Sequence, residues 1–349
     1  MIRKFTVSND PAHYEAFPDV VLTPSGKLIC VFLECVHHLD RSRTALVMTE
    51  SADRGRTWSP KRTIVSSDDG KFFYNCPRLS LLSDGRIAMT VDRFTEKPAV
   101  VDDYDHVEVV IFFSADEGAS WSEPLRTPLR GIVPDKLTEL KTGRWLLAAH
   151  NLVDGDLAEY LRYSDDGGVT WSDLVTVAKV PGLNLCEISI LPMDDGTLVG
   201  FLRENSWKGC DCKKVISTDN GESWGEVHDF ALQGCHRPTS LKLQDGRILI
   251  TYRYLPGIRG GWGYNTQNLF AALAEQDAVL TMERGQGRIR ILPVDYDRSA
   301  VADTGYSGSV QFPDGEIFLV NYLVDDSVTQ KAQIRGYSLK IEEDFLLPL

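Results

Sequence analysis

A set of polar and aromatic residues recurs at matched distances from six turn glycines of the sequence. Before the turns stand Arg78, Glu187, Arg237 and Tyr306, and after them stand His150, Arg203 and Arg253. Guanidinium groups bind carboxylates in a bidentate manner, and a carboxylate, an imidazole and a phenol can transfer protons or attack as nucleophiles. Strands of seven to nine residues span about 25–30 Å at about 3.3 Å per residue. The sequence therefore predicts that both groups reach one face of the fold, where polar residues at strand ends are typical of a site.

The elements that must position these residues are β-hairpins. Each turn joins two runs that are rich in β-branched and aromatic residues, as pleated strands prefer, and four of the turns are or contain Asp-Gly, a strong hairpin signal. The turns occupy residues 24–27, 83–86, 141–144, 194–197, 244–247 and 313–316.

A second repeat accompanies the first four hairpins. The pattern Ser-x-Asp-x-Gly-x-Ser/Thr-Trp occurs at residues 51–58, 114–121, 164–171 and 217–224. It predicts a turn module in which the Asp accepts backbone N–H groups, the Gly takes a positive φ and the Trp packs inward. A repeat of about fifty residues is typical of a propeller or solenoid. We therefore predict an all-β fold, a six-bladed β-propeller in a single domain over residues 1–349, with residues 2–7 pairing with the last blade to close the ring.

Composition and charge limit the classes of partner. The chain has 349 residues, 43% of them hydrophobic, and a formal net charge of −13. That charge argues against nucleic acid and anionic membranes as partners, although a local arginine cluster could still bind an anionic small molecule. A run of apolar residues long enough for a transmembrane helix and the apolar core of a signal peptide are both absent from the sequence. We therefore expect a cytoplasmic location, or secretion if a leader has been removed.

The cysteines favour a protein without disulfides or a metal. There are seven, an odd number, and their spacing does not match a disulfide framework. Cys210 and Cys212 are too close to form a convincing half of a zinc site, and Cys186, Cys235 and His236 are a weak alternative. We expect reduced thiols and neither metal nor cofactor.

The eight-residue pattern resembles the Asp-box of sialidase-like β-propellers, and two further segments resemble the catalytic parts of sialidases. The segment from Thr304 to Gly315 is similar to the one that carries the sialidase nucleophile, which implies this role for Tyr306. The segment around Glu187 and Arg203 is similar to the blade that supplies the carboxylate partner of the nucleophile and the second arginine of a carboxylate-binding triad. A phenol has a pKa near 10 and needs such a base, and a Tyr nucleophile avoids the repulsion between two carboxylates.

The first blade departs from this resemblance. Sialidases carry the first arginine of the triad there, in an Arg-Ile-Pro segment, but this chain has no arginine in residues 14–24. Arg237, Arg253 and Arg78 are the candidates to replace it. Asp40, which lies in the loop after the first hairpin beside His37 and His38, is the candidate general acid.

Three functions remain open from the sequence. The first is a sialidase-like exo-glycosidase that acts on a terminal acidic sugar, with Tyr306, Glu187 and Asp40 as catalytic residues and the arginines as ligands of the sugar carboxylate. The second is a lyase or hydrolase for oligosaccharides that contain uronic acids, with Tyr306 or His150 as acid or base. The third is a propeller that binds sugar without catalysis, since a fold does not fix a function. The expected partner is a carbohydrate, anionic in the first two cases.

Overall fold

Runs of β-branched and aromatic residues between the turns form antiparallel strands. The computed structural model describes residues 2–96, 104, 106–255, 266–325 and 328–345. In this part of the chain the strands form six small sheets, the blades of a propeller around a central channel. The predicted all-β, six-bladed fold is thus confirmed.

The first three blades follow the chain in order from the innermost strand outward. Blade one contains β2 (Tyr14–Leu22), β3 (Leu28–His37), β4 (Asp40–Ser51) and β5 (Arg62–Ser66). In blade two the innermost strand is split into β6 (Phe73–Tyr74) and β7 (Arg78–Leu81), followed by β8 (Ile87–Phe94), β9 (Val107–Ser114) and β10 (Leu125–Arg126). Blade three contains β11 (Thr138–Glu139), β12 (Trp145–Val153), β13 (Asp156–Ser164) and β14 (Val175–Ala178).

The last three blades repeat this order, and the final one is completed by the start of the chain. Blade four contains β15 (Leu185–Pro192), β16 (Leu198–Glu204), β17 (Asp211–Ser217) and β18 (His228–Gln233). Blade five contains β19 (Cys235–Lys242), β20 (Ile248–Tyr254), β21 (Asn268–Ala274) and β22 (Ile289–Tyr296), with the short helix α1 (Gln276–Leu280) after β21. Blade six contains β23 (Thr304–Gln311), β24 (Ile317–Leu323), β25 (Gln333–Leu339) and β1 (Arg3–Ser8), and helix α2 (Ile341–Asp344) follows β25.

The ring closes as the sequence predicted. β1 pairs antiparallel with β25, from Arg3 opposite Ser338 to Ser8 opposite Ile334. This pairing covers the edge that β25 would otherwise expose. The first and last parts of the described chain are therefore held in one sheet.

The four Asp-boxes form the predicted turns. In the first, Asp53 accepts hydrogen bonds from the backbone N–H and the hydroxyl of Thr57, and Gly55 has a φ of 81°. Strand β3 leads from the first hairpin turn to the opposite face of the propeller, and β4 leads back. The first box follows β4 and therefore lies at the same end of the propeller as the hairpin turns, and the other boxes follow the same order. A contact between neighbouring blades supports this placement, because Glu117 in the second box accepts a hydrogen bond from the backbone N–H of Ser25 in the first turn.

The core lies between neighbouring blades, and buried carboxylates on or just before the inner strands join the blades. Asp19 of blade one accepts a hydrogen bond from the backbone N–H of Leu79 in blade two at 2.8 Å. Asp135 of the third blade accepts one from the backbone N–H of Ile190 in blade four, also at 2.8 Å. These buried bonds fix the rotation of one blade against the next.

Candidate functional site

Four inner strands carry the same irregularity at the same point. The pairing of β2, β15, β19 and β23 with the next strand is shifted by a bulge. At the bulge, Phe17, Glu187, Arg237 and Tyr306 take positive φ angles of 54°, 54°, 51° and 58°. Such a conformation is strained for a residue with a side chain and recurs at functional sites, where bulges aim a side chain. Each of these four residues lies nine positions before a turn glycine.

Two of these bulges bring the predicted phenol and carboxylate together. The hydroxyl of Tyr306 in blade six donates a hydrogen bond to Oε1 of Glu187 in blade four, and both side chains are buried. Because 119 positions separate them in the chain, the contact depends on the closed ring. The arrangement allows Glu187 to take the proton of Tyr306 when the phenol oxygen attacks an electrophile.

Arg203 holds Glu187 in its charged form. Its Nη1 lies 3.0 Å from each carboxylate oxygen of Glu187, and its Nη2 donates to Oδ1 of Asn205 at 2.6 Å. Burial alone would raise the pKa of Glu187, but the charge of Arg203, followed by those of Arg237 and Arg253, lowers it to about 2. Glu187 is therefore an anion at neutral pH.

Tyr306 is a protonated phenol in this setting. Burial and the neighbouring charge of Glu187 raise its pKa well above the usual value. The guanidinium carbons of Arg237 and Arg253 lie 5.5 and 5.6 Å from the centre of its ring, where they favour the developing phenolate. The ring of Phe17 supports Tyr306 from the side at 4.7 Å.

The predicted arginines differ in how deeply they are buried. Arg203 and Arg253 keep 6% of their surface exposed, whereas Arg237 and Arg78 keep 1% and 2%. Arg237 donates to the carbonyl oxygens of Pro134 and Ile188, and Arg78 lies 3.4 Å from Asp19 and donates to the carbonyl oxygen of Ser307. Arg78 and Arg237 are thus the more deeply buried members of the predicted set, and their contact with substrate stays a prediction.

Arg253 has the weakest bonds of the group. Its Nη1 lies 3.4 Å from Gln267 Oε1 and from the carbonyl oxygen of Thr304, and its Nε has no hydrogen-bond partner among the described residues. The Nε atoms of Arg203, Arg237 and Arg78 are also without a partner in that part of the chain. Since buried donors are almost always satisfied, all four guanidinium groups are suited to an anionic ligand.

His150 is buried beside the same charges and is neutral at physiological pH. Burial lowers its pKa to about 4, against the opposing influence of Glu187. Its ring lies 6.0 Å from that of Tyr104. His150 thus presents an uncharged imidazole to the group formed by Glu187 and Arg203.

Asp40, the predicted general acid, is exposed at the tip of the β3–β4 hairpin. Its carboxylate accepts a hydrogen bond from the backbone N–H of Ser42 at 2.9 Å. The same hairpin places His38 against Asp303, with 2.6 Å between Nδ1 and Oδ2. His38 also contacts the ring of Phe17 edge-on at 5.4 Å. The structure brings this hairpin to the site face, with His38 directed inward.

Sequence reasoning missed Arg41 and Asp303. The guanidinium carbon of Arg41 lies 4.9 Å from the centre of the Phe17 ring, and its side chain donates to Asn75 Oδ1 and to the carbonyl oxygen of His38. Asp303 precedes β23 and binds His38. The turn spacing did not identify them because Arg41 lies at the start of β4, beyond the strands that flank the turns, and Asp303 lies in the loop before β23. The histidines next to Arg41 and the position of Tyr306 close to Asp303 were the available signals.

The metal-ligating groups of the described residues do not form a vacant cation site at the channel. Asp10, His13 and Glu34 lie close enough to share an ion, but the ammonium of Lys61 pairs with Asp10 at 3.0 Å and also contacts Glu34. The seven cysteines are all unpaired thiols. Within the described residues, the helices are all too short to cross a membrane.

Comparison with known proteins agrees with this architecture. Residues 93–319 match the BNR repeat-like domain family. The sialidase of Clostridium perfringens is 27% identical over an alignment of 216 residues, which covers 52% of this chain and 56% of that protein. The anhydrosialidase of Macrobdella decora is 31% identical over an alignment of 127 residues, which covers 33% of this chain and 16% of that protein. The chain thus spans about half or less of the length of these relatives.

Solved structures share the whole fold at low sequence identity. A protein of unknown function from Dyadobacter fermentans has a TM-score of 0.78 at 22% identity, covering 97% of this chain and 99% of its own. The leech intramolecular trans-sialidase has a TM-score of 0.72 at 16% identity, covering 97% of this chain and 70% of its own. Because the family match covers nearly two thirds of the chain, we conclude that the protein belongs to the BNR repeat-like domain family, in the sialidase superfamily of Asp-box propellers.

Proposed function

We propose that the protein is an exo-glycosidase of the sialidase type that hydrolyses the bond to a terminal acidic sugar. The single observation that carries this proposal is the hydrogen bond from Tyr306 to a charged Glu187. A protein that only binds sugar has no need of a phenol coupled to a buried carboxylate. Two sialidases and an anhydrosialidase among the sequence relatives support the same class of reaction.

In this proposal Tyr306 is the nucleophile. Its oxygen forms a bond to the anomeric carbon while the glycosidic C–O bond breaks, and its proton passes to Glu187. A general acid protonates the departing glycosidic oxygen, the role that the resemblance implies for Asp40. Water then attacks the anomeric carbon and gives one proton back to that acid, the bond to Tyr306 breaks, and Glu187 returns its own proton to the phenolate. A neutral phenol approaches an anionic sugar without the repulsion that a carboxylate nucleophile would meet.

The acidic sugar is proposed from the charges around Tyr306. Arg203, Arg253, Arg237 and Arg78 each have a buried Nε without a hydrogen-bond partner within the described chain. Planar guanidinium groups of this kind match a carboxylate better than an ammonium does. Arg41 lies on the first-blade side of the site and is the structural candidate for the triad arginine that the first blade lacks. Solved neighbours include the Ruminococcus gnavus intramolecular trans-sialidase with oseltamivir carboxylate, a ligand with a carboxylate.

A second candidate function is a lyase or hydrolase for uronic-acid oligosaccharides. The observation that favours it is His150, whose neutral imidazole lies among the charges of Glu187 and Arg203 and could accept a proton. Strand β2 of the first blade also contains no arginine, which departs from the resemblance to sialidases.

A substrate screen distinguishes the two candidate functions. The purified protein is assayed with aryl glycosides of sialic acid, of related ulosonic acids, of uronic acids and of neutral sugars. The proposal expects release of the phenol from a ulosonic acid glycoside at a rate well above that from the other sugars. Preferential turnover of a uronide would establish the second function, and tight binding without any turnover would contradict both.

A further inference from the structure

The tip of the β3–β4 hairpin carries two adjacent histidines in different settings. His38 is oriented by a carboxylate, with Nδ1 2.6 Å from Asp303 Oδ2. His37 has no such partner in the described chain; its Nδ1 accepts a hydrogen bond from the backbone N–H of Leu39 at 3.3 Å, and its ring lies against Tyr14. The two histidines therefore form a natural pair for comparison.

Asp303 is held in one orientation from several sides. The hydroxyl of Tyr322 donates to its Oδ1 at 2.8 Å, and the hydroxyl of Tyr14 donates to Oδ2. Its backbone N–H donates to Asp297 at 3.0 Å. Burial would raise the pKa of Asp303, but His38, first by its charge and then by its hydrogen bond, lowers it to about 2. The ionised carboxylate of Asp303 accepts a hydrogen bond from Nδ1–H of His38, so Nε2 is the nitrogen that is available for proton transfer.

The other nitrogen of His38 faces no hydrogen-bond partner in the described residues, and the ring borders the site. Its edge meets Phe17 at 5.4 Å, and Phe17 packs on Tyr306 at 4.7 Å. The His38 side chain is 27% exposed, so a proton donor here can reach a bound ligand while remaining anchored. Asp40, two residues further along, is instead exposed and turned toward the backbone of its own hairpin.

We propose that His38, positioned by Asp303, is the general acid and base of this glycosidase, in the role that the resemblance implies for Asp40. The inference rests on the proposed function. In the first step Nε2–H of His38 gives its proton to the glycosidic oxygen as the C–O bond breaks and Tyr306 bonds to the anomeric carbon. In the second step neutral His38 takes a proton from the attacking water as the bond to Tyr306 breaks. One proton leaves His38 and one returns, so the cycle balances.

Several titratable and charged groups surround the imidazole of His38. Asp303 faces it directly, and Tyr14, Tyr322 and Asp297 lie behind Asp303. On the hairpin, Arg41 donates to the carbonyl oxygen of His38, and His37 is its neighbour. Lys331 donates to the carbonyl oxygen of Val36 in the same hairpin. Removal of Asp303 takes away the negative charge closest to the ring.

The test uses two glycosides of one acidic sugar, one with an aryl leaving group and one with an alkyl leaving group. An alkoxide needs protonation to leave, whereas a phenolate leaves without it. His38→Gln is expected to lower kcat/KM for the alkyl glycoside by at least about 100-fold, as loss of a general acid does, and to affect the aryl glycoside far less. Asp303→Asn is expected to show the same dependence on the leaving group with a smaller loss. His37→Gln is the matched control and should leave both substrates near the wild-type rate.

The outcomes separate the two proposals. If Asp40→Asn shows the loss that depends on the leaving group and His38→Gln does not, Asp40 is the acid and the inference is wrong, while the glycosidase stands. Equal losses on both substrates in His38→Gln, at an unchanged melting temperature, also contradict an acid role. If the wild-type protein turns over no acidic glycoside, the proposed function fails, and the role of His38 fails with it.

Discussion

The hydroxyl of Tyr306 donates a hydrogen bond to Glu187 across the central channel, from blade six to blade four. Both residues stand at bulges of their inner strands with positive φ angles, so two separate local distortions meet in one contact. Strain of this kind persists where the surrounding structure enforces it. The propeller therefore maintains a phenol and a carboxylate at fixed separation and orientation.

Replacement of Tyr306 by Phe removes the hydroxyl that we propose as the nucleophile and keeps the ring. The packing of the ring on Phe17 and between Arg237 and Arg253 remains. We expect turnover of the best acidic glycoside to be lost and the melting temperature to change by no more than a few degrees, as measured by initial rates and calorimetry. A Tyr306→Phe protein with the wild-type rate would contradict the nucleophilic role.

Arg203→Lys tests recognition of the acidic group. A lysine retains the charge but cannot form the planar fork with which Arg203 contacts Glu187 and Asn205. We expect KM for an acidic glycoside to rise by at least about tenfold, equivalent to about 1.4 kcal/mol. If a neutral glycoside is also turned over, its KM should change far less, and equal losses on both would show that Arg203 does not recognise the carboxylate.

The pH dependence of the reaction is expected to report the charge of Glu187. The pKa of this group, about 2 against an ordinary 4.5, means that Glu187 is a carboxylate throughout the neutral and mildly acidic range. Its lowered pKa also stabilises the fold above pH 4.5, a contribution that is lost as pH falls toward 2. Arg203→Gln removes the first of the charges that lower this pKa, so the acid limb of kcat/KM should move to higher pH. An acid limb at the wild-type position would show that Glu187 is not the base.

Substitution of Gly55 tests how much the packing of the first Asp-box against the last blade contributes to stability. A Cβ at this position would lie 2.2 Å from the Phe318 ring, and the φ is +81°. Gly55→Ala is expected to lower the free energy of unfolding by about 3 kcal/mol, from overpacking together with the left-handed backbone.

Gly26→Ala is the matched control for that measurement. Gly26 has a φ of +85°, but a Cβ there would meet nothing within 4 Å. Gly26→Ala should therefore lower the free energy of unfolding by only about 1 kcal/mol, from backbone strain alone. Equal losses in urea unfolding of the two variants would mean that the contact with Phe318 contributes little.

The fold was predictable from the sequence because its information is local and repeated. The turn at residues 83–86 and the Asp-box at residues 114–121 specify hairpins and blades without any long-range contact. Closure by β1 followed from the need to cover the edge of the last blade. Counting residues from each turn glycine also found Glu187, Arg237 and Tyr306, since strand length sets which end of the channel a residue reaches.

The depth and orientation of the site residues were not predictable in the same way. Spacing places Arg78 and Arg203 at the same end of the channel but does not show that Arg78 is buried with Asp19, while Arg203 binds Glu187. The contact between His38 and Asp303 joins residues 265 positions apart through two loops. Loops have no periodicity from which such a contact can be derived.

The most direct test of the central claim is to trap the intermediate on Tyr306. A 3-fluoro ulosonyl fluoride with a good leaving group is incubated with the wild-type protein, since the electron-withdrawing fluorine slows the breakdown of a glycosyl-enzyme. The mass of the intact protein and of its peptides is then measured. We expect the mass of one added sugar on the peptide that contains Tyr306, and no added mass on the Tyr306→Phe protein. An adduct on a different residue, or release of fluoride by Tyr306→Phe at the wild-type rate, would contradict the central claim.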